Sequence, residues 1–395
     1  MMLLSVSSTL LFTAFLCYLV ATLLFGGAVH DKKQQQQRSH KRFALWAVIV
    51  TVLGFLANVG YFLTRWLYTG HVPLSNMFEF TTAFGMFIVG AFLLLYALYR
   101  VAALGLFVLP VAIIIIAYAS MFPSEVEPLI PALKSYWLTI HVLTTVIGEA
   151  ILAISAFSGL IYLLKVIDLK KRSMERFWLE FIMYTLVVVI GFVAVTTYFN
   201  MTGYEATYTY VDKEGEQASI TYATPPLIGM HQYEAQTTGH MEPLAATPAW
   251  INAKKLTTVI WSVLAGTLLY GVLRLVFRKR LAAVCQPFVQ KTSLPLLDEM
   301  SYRSVLIGFP VFTLGALIFA MIWAQEAWSR MWGWDPKEVW ALITWLYYAS
   351  FLHLRLSRGW EGKRSAWLAV GGFAIIMFNL IAVNLIIAGL HSYAE

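Results

Sequence analysis

The chain has 395 residues, of which 59% are hydrophobic and only 12% are charged, against about 25% charged residues in ordinary soluble domains. Its mean hydropathy of +0.71 excludes a series of soluble domains, because a chain of this length has no core large enough to bury so much apolar surface. The net charge of +7 does not indicate a nucleic-acid partner, because the positions of the basic residues have a simpler explanation, given below.

Apolar runs of about 20 residues are the signal of membrane-spanning helices. The first, within residues 1–28, has no basic region before it and no clear cleavage site, so we interpret it as a span rather than a signal peptide. The runs cover residues 3–28, 43–67, 80–99, 101–122, 138–164, 179–200, 256–277, 304–324, 338–356 and 366–389. The sequence therefore predicts an all-α integral membrane protein with about ten transmembrane helices.

The basic residues of the connecting segments predict the orientation of these helices. Of the 28 lysine and arginine residues, 21 lie in one alternating set of connections and seven in the other. The basic set is expected inside, so both termini are predicted to lie outside. This rule does not distinguish a bacterial cell membrane from a thylakoid membrane; we expect a multi-pass protein of a cell membrane, because no feature of the sequence indicates an organelle.

The longest predicted outer segment, residues 200–255, carries a β-hairpin signal. Residues 207–211 (TYTYV) alternate in polarity, residues 212–215 contain a glycine and residues 219–222 (SITY) alternate again. We expect a small external lobe here. The predicted organisation is thus a transmembrane part over 1–200, the lobe over 201–255 and a second transmembrane part over 256–395.

Tryptophan is concentrated in one predicted outer segment. Six of the 14 tryptophans fall between positions 323 and 345, namely Trp323, Trp328, Trp332, Trp334, Trp340 and Trp345. An aromatic belt at the membrane interface is one explanation, but a belt is spread over all helix ends. A flat aromatic surface that binds a planar macrocycle is the other.

The residues Asp335-Pro336-Lys337-Glu338 have a structural explanation of their own. Asp at the N-cap, Pro at the first helical position and Glu at the third form a capping box. This motif predicts that a helix begins here, whether or not a ligand binds nearby.

Histidines at two depths are candidate metal ligands. His141 and His391 are predicted at the level of the tryptophan segment, where they are either polar interfacial side chains or an axial pair for a haem iron. Asn384 lies seven residues before His391, on nearly the same helix face.

His353 lies deeper, about 22 Å into the membrane by helical rise. It is either a functional group or, like Arg355, close enough to the inner surface to snorkel. Glu149 also falls within a predicted span and needs a partner there.

Residues 328–338 (WSRMWGWDPKE), with 340–346 (WALITWL), Leu352-His353, Arg355 and 389–393 (GLHSY), resemble the WWD domain of haem-handling proteins. Together they are similar to the CcsA/ResC-type subunit of the system II cytochrome c synthase. The sequence departs from the family pattern at Ser329 and Met331, where glycine and an aromatic residue are usual.

The resemblance implies a haem lyase, or holocytochrome c synthase subunit, that binds haem b. It implies that His141 and His391 ligate the iron of an external haem, that Trp328, Trp332, Trp334, Asp335 and Trp340 contribute to its binding, and that His353 ligates a buried haem. It further implies a ResB-type partner subunit and thioether attachment of haem to the CxxCH motif of apocytochrome c at the extracytoplasmic face. A haem exporter that serves a separate ligase and a respiratory cytochrome b-type subunit are the alternative functions.

Overall fold

The computed structural model describes residues 2–30, 37–126, 134–211, 216–237, 241–248 and 252–383. Its helices are α1 (Met2–His30), α2 (Gln37–Thr69), α3 (Met77–Tyr99), α4 (Ala102–Ala119), α5 (Tyr136–Val166), α6 (Met174–Met201), α7 (Ala253–Phe277), α8 (Leu281–Cys285), α9 (Leu294–Thr313), α10 (Ala320–Trp328), α11 (Pro336–Arg358) and α12 (Lys363–Phe378). Two π-helical segments, π1 (Leu314–Phe319) and π2 (Asn379–Val383), follow α9 and α12.

Over the described ranges, nine helices are long and apolar enough to cross a membrane. α9, π1 and α10 count as one of them, the 35-residue helix Leu294–Trp328. Nine of the ten predicted spans are thereby matched, and the prediction of an all-α integral membrane protein is confirmed. The other predicted span, residues 338–356, is present as α11 but does not meet the same hydropathy criterion, because its tryptophans, tyrosines, His353 and Arg355 make it too polar.

The chain divides into two compact units, Met1–Arg176 with Cys285–Glu395, and Phe177–Val284. These boundaries differ from the predicted division at residues 200 and 255. The reason is that the second unit contains the spans on both sides of the β strands as well as the strands themselves.

In the first unit, α5 is the most buried of the nine helices. Glycines allow its close approach to neighbouring helices. A Cβ atom on Gly148 would lie 2.6 Å from the backbone nitrogen of Phe312 in α9, and one on Gly159 would lie 2.8 Å from the carbonyl oxygen of Ala366 in α12. Small residues at such crossings let membrane helices pack backbone against backbone.

A buried ion pair joins α2 to α3. Arg65 Nε lies 2.6 Å from Glu79 Oε1, and both side chains are almost fully buried. The second carboxylate oxygen accepts hydrogen bonds from the backbone N–H and the hydroxyl of Ser75, while Arg65 Nη2 donates to the carbonyl oxygen of Ser124. Asn76 caps α3 by accepting from the backbone N–H of Glu79. The pair therefore holds the loop after α2 and the loop after α4 together.

In the second unit, β1 (Ala206–Val211) and β2 (Gln217–Tyr222) pair antiparallel, with Ala206 opposite Tyr222 and Val211 opposite Gln217. The predicted hairpin is confirmed, and its turn, residues 212–215, lies outside the described residues. β4 (Glu234–Ala235) pairs with β1, and β3 (Ile228–Met230) runs parallel to β5 (Ala245–Thr247). A small core that includes Tyr208, Tyr222 and Met230 lies beneath the strands.

Candidate functional site

His141 lies in the second turn of α5 and has a defined environment. Its Nδ1 atom lies 2.9 Å from the carbonyl oxygen of Gly315 in π1 and 3.4 Å from the hydroxyl of Thr145. A carbonyl oxygen only accepts hydrogen bonds, so Nδ1 carries the proton and donates it. In the neutral ring, Nε2 then keeps its lone pair and can bind a metal ion.

The segment π1 explains why a backbone carbonyl is available to His141. The Gly315 oxygen also accepts from the backbone N–H of Ala320, as expected in the wider turn of a π helix. A carbonyl oxygen has two lone pairs and can accept both bonds. A Cβ atom on residue 315 would overlap the backbone nitrogen of Thr145, so glycine is required for this close approach.

Trp323 fixes the plane of the His141 ring. The two rings are stacked, with centroids 5.7 Å apart and an interplanar angle of 12°. Trp323 is only 2% exposed, and Trp328 packs edge-on against it with centroids 4.7 Å apart. Two contacts on different elements, one polar and one aromatic, therefore hold the imidazole.

A cavity of about 900 Å³, its open mouth included, adjoins His141. The wall is mostly apolar or aromatic and comes from α3, α5, π1, α10, α11, α12, π2 and the loop before α11. Its residues include Phe80, Ala316, Trp323, Met331, Trp332 and Leu380. Both π-helical segments contribute to it, in keeping with the frequency of π segments at functional sites.

The capping box at the start of α11 is confirmed. Asp335 accepts from the backbone N–H of Lys337 at 3.0 Å. Glu338 accepts from the N–H of Gly333 at 2.7 Å and of Asp335 at 3.1 Å. Asp335 is buried, and the Glu338 carboxylate joins the preceding loop, which contributes Met331 and Trp332 to the cavity wall, to the start of α11.

The predicted tryptophan surface does not form one flat face. Trp332 lines the cavity, whereas Trp334 is 70% exposed. Trp340 packs on Phe378 with centroids 4.4 Å apart, and Trp345 donates from Nε1 to the hydroxyl of Thr313. Trp323 and Trp332 are the two tryptophans among the lining residues.

Ionisable side chains also line the cavity. Besides His141 these are Glu149, Lys337 and Glu338. Burial lowers the pKa of Lys337 to about 7, and the nearby Asp335 carboxylate opposes this shift. The sequence analysis did not place Lys337 or Thr145 at a site. The four-residue spacing from His141 to Thr145 and Glu149 was the available signal, because it places all three on one helix face.

His353 lies near the end of α11, away from the cavity residues, and its side chain is exposed. Arg355 makes two hydrogen bonds to Asp298, of 2.8 and 2.7 Å, and lies over the Tyr302 ring. Asn384 and His391 fall outside the described residues, so iron ligation by His391 stays a prediction.

This fold and cavity define a multi-pass membrane protein with an aromatic ligand site and one preorganised imidazole. Residues 235–391 match the model of the cytochrome C assembly protein family. The chain is 32% identical to the cytochrome c biogenesis protein CcsA of Nostoc sp. over 83% of this chain and 82% of that protein. It is 33% identical, with the same coverage, to CcsA of Trichormus variabilis. To CcsA of Gloeobacter violaceus it is 29% identical over 96% of this chain and 94% of that protein.

The chain belongs to the family of the cytochrome c biogenesis protein CcsA, and it functions in cytochrome c biogenesis.

Proposed function

We propose that this protein holds haem b in the cavity beside His141 and presents it for covalent attachment to apocytochrome c. The observation that carries the proposal is the hydrogen bond from His141 Nδ1 to the Gly315 carbonyl oxygen. It leaves Nε2 as the metal-binding nitrogen. Metal-ligating histidines commonly donate their other ring N–H to a carbonyl or carboxylate in this way.

The chemistry of the cavity wall supports a porphyrin ligand. Its aromatic and aliphatic side chains suit a large planar apolar molecule. The Trp332 Nε1 atom is buried and has no hydrogen-bond partner among the described residues. A bound ligand with an acceptor group could satisfy this donor, since an unpaired buried N–H is costly.

The chemistry that haem supplies is a pair of vinyl groups, across which the two thiols of a CxxCH segment add to form thioethers. The residues of this chain would bind the haem and orient it. His141 would hold the haem iron through Nε2 and His391 is proposed as a second ligand, while Trp323 sets the plane of the His141 ring. Catalysis then consists mainly of positioning, which can lower a barrier by about 7–11 kcal/mol for well-aligned groups. We place this reaction at the extracytoplasmic face of the cell membrane.

A second haem site is proposed at His353. An exposed ionisable side chain on a helix within a membrane protein is expected to face a partner or a polar cavity. His353 supplies one ligand, and a ResB-type partner subunit supplies the other.

The test is the haem content and absorption spectrum of the protein purified with its partner. We expect His141→Ala and His391→Ala to lose the low-spin bis-imidazole spectrum of the cavity haem, with recovery on addition of imidazole. His353→Ala is expected to lose the other haem. The control is His231→Ala, because His231 is an exposed residue of the second unit. Unchanged haem content and cytochrome c maturation in all three variants would contradict the ligand assignment.

A further inference from the structure

The cavity contains a buried carboxyl group that haem ligation does not use. Glu149 lies in the middle of α5 and is 8% exposed. It is eight residues beyond His141, about 12 Å along the helix axis, and lies on the same face as His141 and Thr145. All three line the cavity. An ionisable residue at such depth in a membrane helix is a functional candidate.

Among the described residues, few other ionisable side chains line this cavity. His141 lines the cavity from α5, and Lys337 and Glu338 line it from α11. Tyr348 of α11 is fully buried but is not among the lining residues. Glu338 is committed to the capping box. The lining residues from π1, α10, α12 and π2 are not titratable; they include Ala316, Ala320, Ala324, Ile376 and Asn379.

Glu149 differs from the other deeply buried glutamate of the first unit, Glu79. The Glu79 carboxylate has a fixed counter-charge in Arg65 at 2.6 Å and two donors from Ser75. Among the described residues, no ion pair or hydrogen bond to the Glu149 carboxyl occurs. The hydroxyl of Tyr348 is likewise buried without a partner there. A carboxylate at Glu149 therefore depends for its stability on positive charge inside the cavity.

We propose that Glu149 is the proton-binding group that compensates changes in the charge of the cavity ligand. With haem bound in the cavity, reduction of the iron by a one-electron reductant such as dithionite would be accompanied by the binding of one proton from water to the Glu149 carboxylate. Oxidation by a one-electron oxidant such as ferricyanide would be accompanied by release of that proton to water. One electron and one proton enter together, so the net charge of the buried cavity stays constant. This inference rests on the proposed function, since it requires haem in this cavity.

Such coupling has a direct thermodynamic signature. If one proton binds per electron, the reduction equilibrium changes tenfold per pH unit, which for a one-electron couple is about 59 mV per pH unit. Without a proton-binding group, the potential of the same haem is independent of pH. Glu149 is thus a positioning and charge-compensating residue rather than an iron ligand.

The experiment is a spectroscopic redox titration between pH 6 and 9 of the complex with its partner. The His353→Ala background restricts the signal to the cavity haem. We expect a pH-dependent potential in this background, its loss in Glu149→Gln and its retention in Glu149→Asp. Glu299→Gln is the matched control, because Glu299 lies in an exposed pair with Arg303. An unchanged slope in Glu149→Gln would overturn the inference while leaving the haem site intact.

A second measurement covers the case in which Glu149→Gln fails to fold. The infrared difference spectrum between reduced and oxidised protein should show a protonated-carboxyl band that appears on reduction and shifts in D2O. Its absence from protein with bound haem would overturn the inference alone. Protein that binds no haem in this cavity would overturn the proposed function and the inference together.

Discussion

His141 Nδ1 and the carbonyl oxygen of Gly315 are 2.9 Å apart although 174 positions separate the two residues in the chain. This contact selects the imidazole tautomer in which Nδ1 carries the proton and Nε2 keeps its lone pair. It depends on a residue without a Cβ atom at position 315, because α5 passes directly over the backbone of π1.

Gly315→Ala should therefore damage the site without touching a ligand. The added Cβ overlaps the backbone of Thr144 and Thr145, so α5 must move away from π1 and the His141 hydrogen bond must lengthen. Overpacking of this kind costs about 1–3 kcal/mol. We expect a lower thermal midpoint in detergent and weaker haem retention. Gly271→Ala is the control, because a Cβ there meets nothing within 4 Å. Equal behaviour of the two variants would contradict this explanation.

The loss of stability and of bound haem on replacing a tryptophan should increase with the burial of its side chain. Trp323, at 2% exposure, stacks on His141, whereas Trp334 is 70% exposed. Trp323→Ala should cost about 3–5 kcal/mol and abolish haem binding. Trp334→Ala should change stability by about 0.5 kcal/mol or less. Thermal unfolding and haem content measure both effects, and a larger loss from Trp334→Ala would refute the ranking.

Replacement of Ser329 by glycine should stabilise the folded protein. Its φ of 56° places it in the left-handed region at the end of α10, where an L-residue costs about 1–2 kcal/mol. Ser329→Gly is expected to raise the thermal midpoint. Ser350→Gly, an exposed position inside α11, should lower it, because glycine is a poor helix former. A fall in the midpoint of Ser329→Gly would show that Ser329 makes a compensating contact.

The Arg65–Glu79 pair should be essential for stability. Glu79→Gln leaves the Arg65 charge buried without its counter-charge, and breaking a buried pair on one side costs about 3–5 kcal/mol. Glu299→Gln breaks the exposed pair with Arg303 and should cost about 0–1 kcal/mol. The two variants are compared by thermal unfolding in the same detergent. A small effect of Glu79→Gln would mean that water reaches Arg65.

Lys337 should make stability depend on pH. Burial lowers the pKa of Lys337 from 10.5 to about 7, so between these values the unfolded chain binds more protons than the folded one. The free energy of unfolding therefore rises with pH through this window and is lowest below pH 7.

The corresponding measurement is the thermal midpoint at pH 7, 8 and 9. Lys337→Met should remove the rise seen in the wild type, whereas Lys254→Met, at an exposed position, should retain it. A pH profile of Lys337→Met identical to that of the wild type would show that another group titrates.

Much of the architecture was predictable because it depends on local patterns. Runs of apolar residues identified nine of the membrane helices, the alternation in 207–211 and 219–222 identified the hairpin, and Asp335 with Glu338 identified the start of α11. Each of these signals is read within about 20 residues of chain, where helical rise, strand alternation and capping geometry apply directly.

The site was predictable only in part. Sequence singled out His141 and the tryptophan segment, but Trp334 projects outward while Trp332 lines the cavity. The difference follows from backbone conformation in the loop, where Trp334 has a φ of 58°. No periodicity describes such a loop, so the direction of each side chain could not be read from spacing.

By itself, the sequence determined that this is a membrane protein, where its helices run and which residues are chemically capable of binding haem. Only the tertiary structure decided that Gly315 sets the tautomer of His141, that Trp323 orients its ring, and that Arg65 neutralises Glu79 while Glu149 lines the cavity. These pairings join residues far apart in the chain. They depend on how closely two helix backbones can pack, which is a property of the assembled bundle.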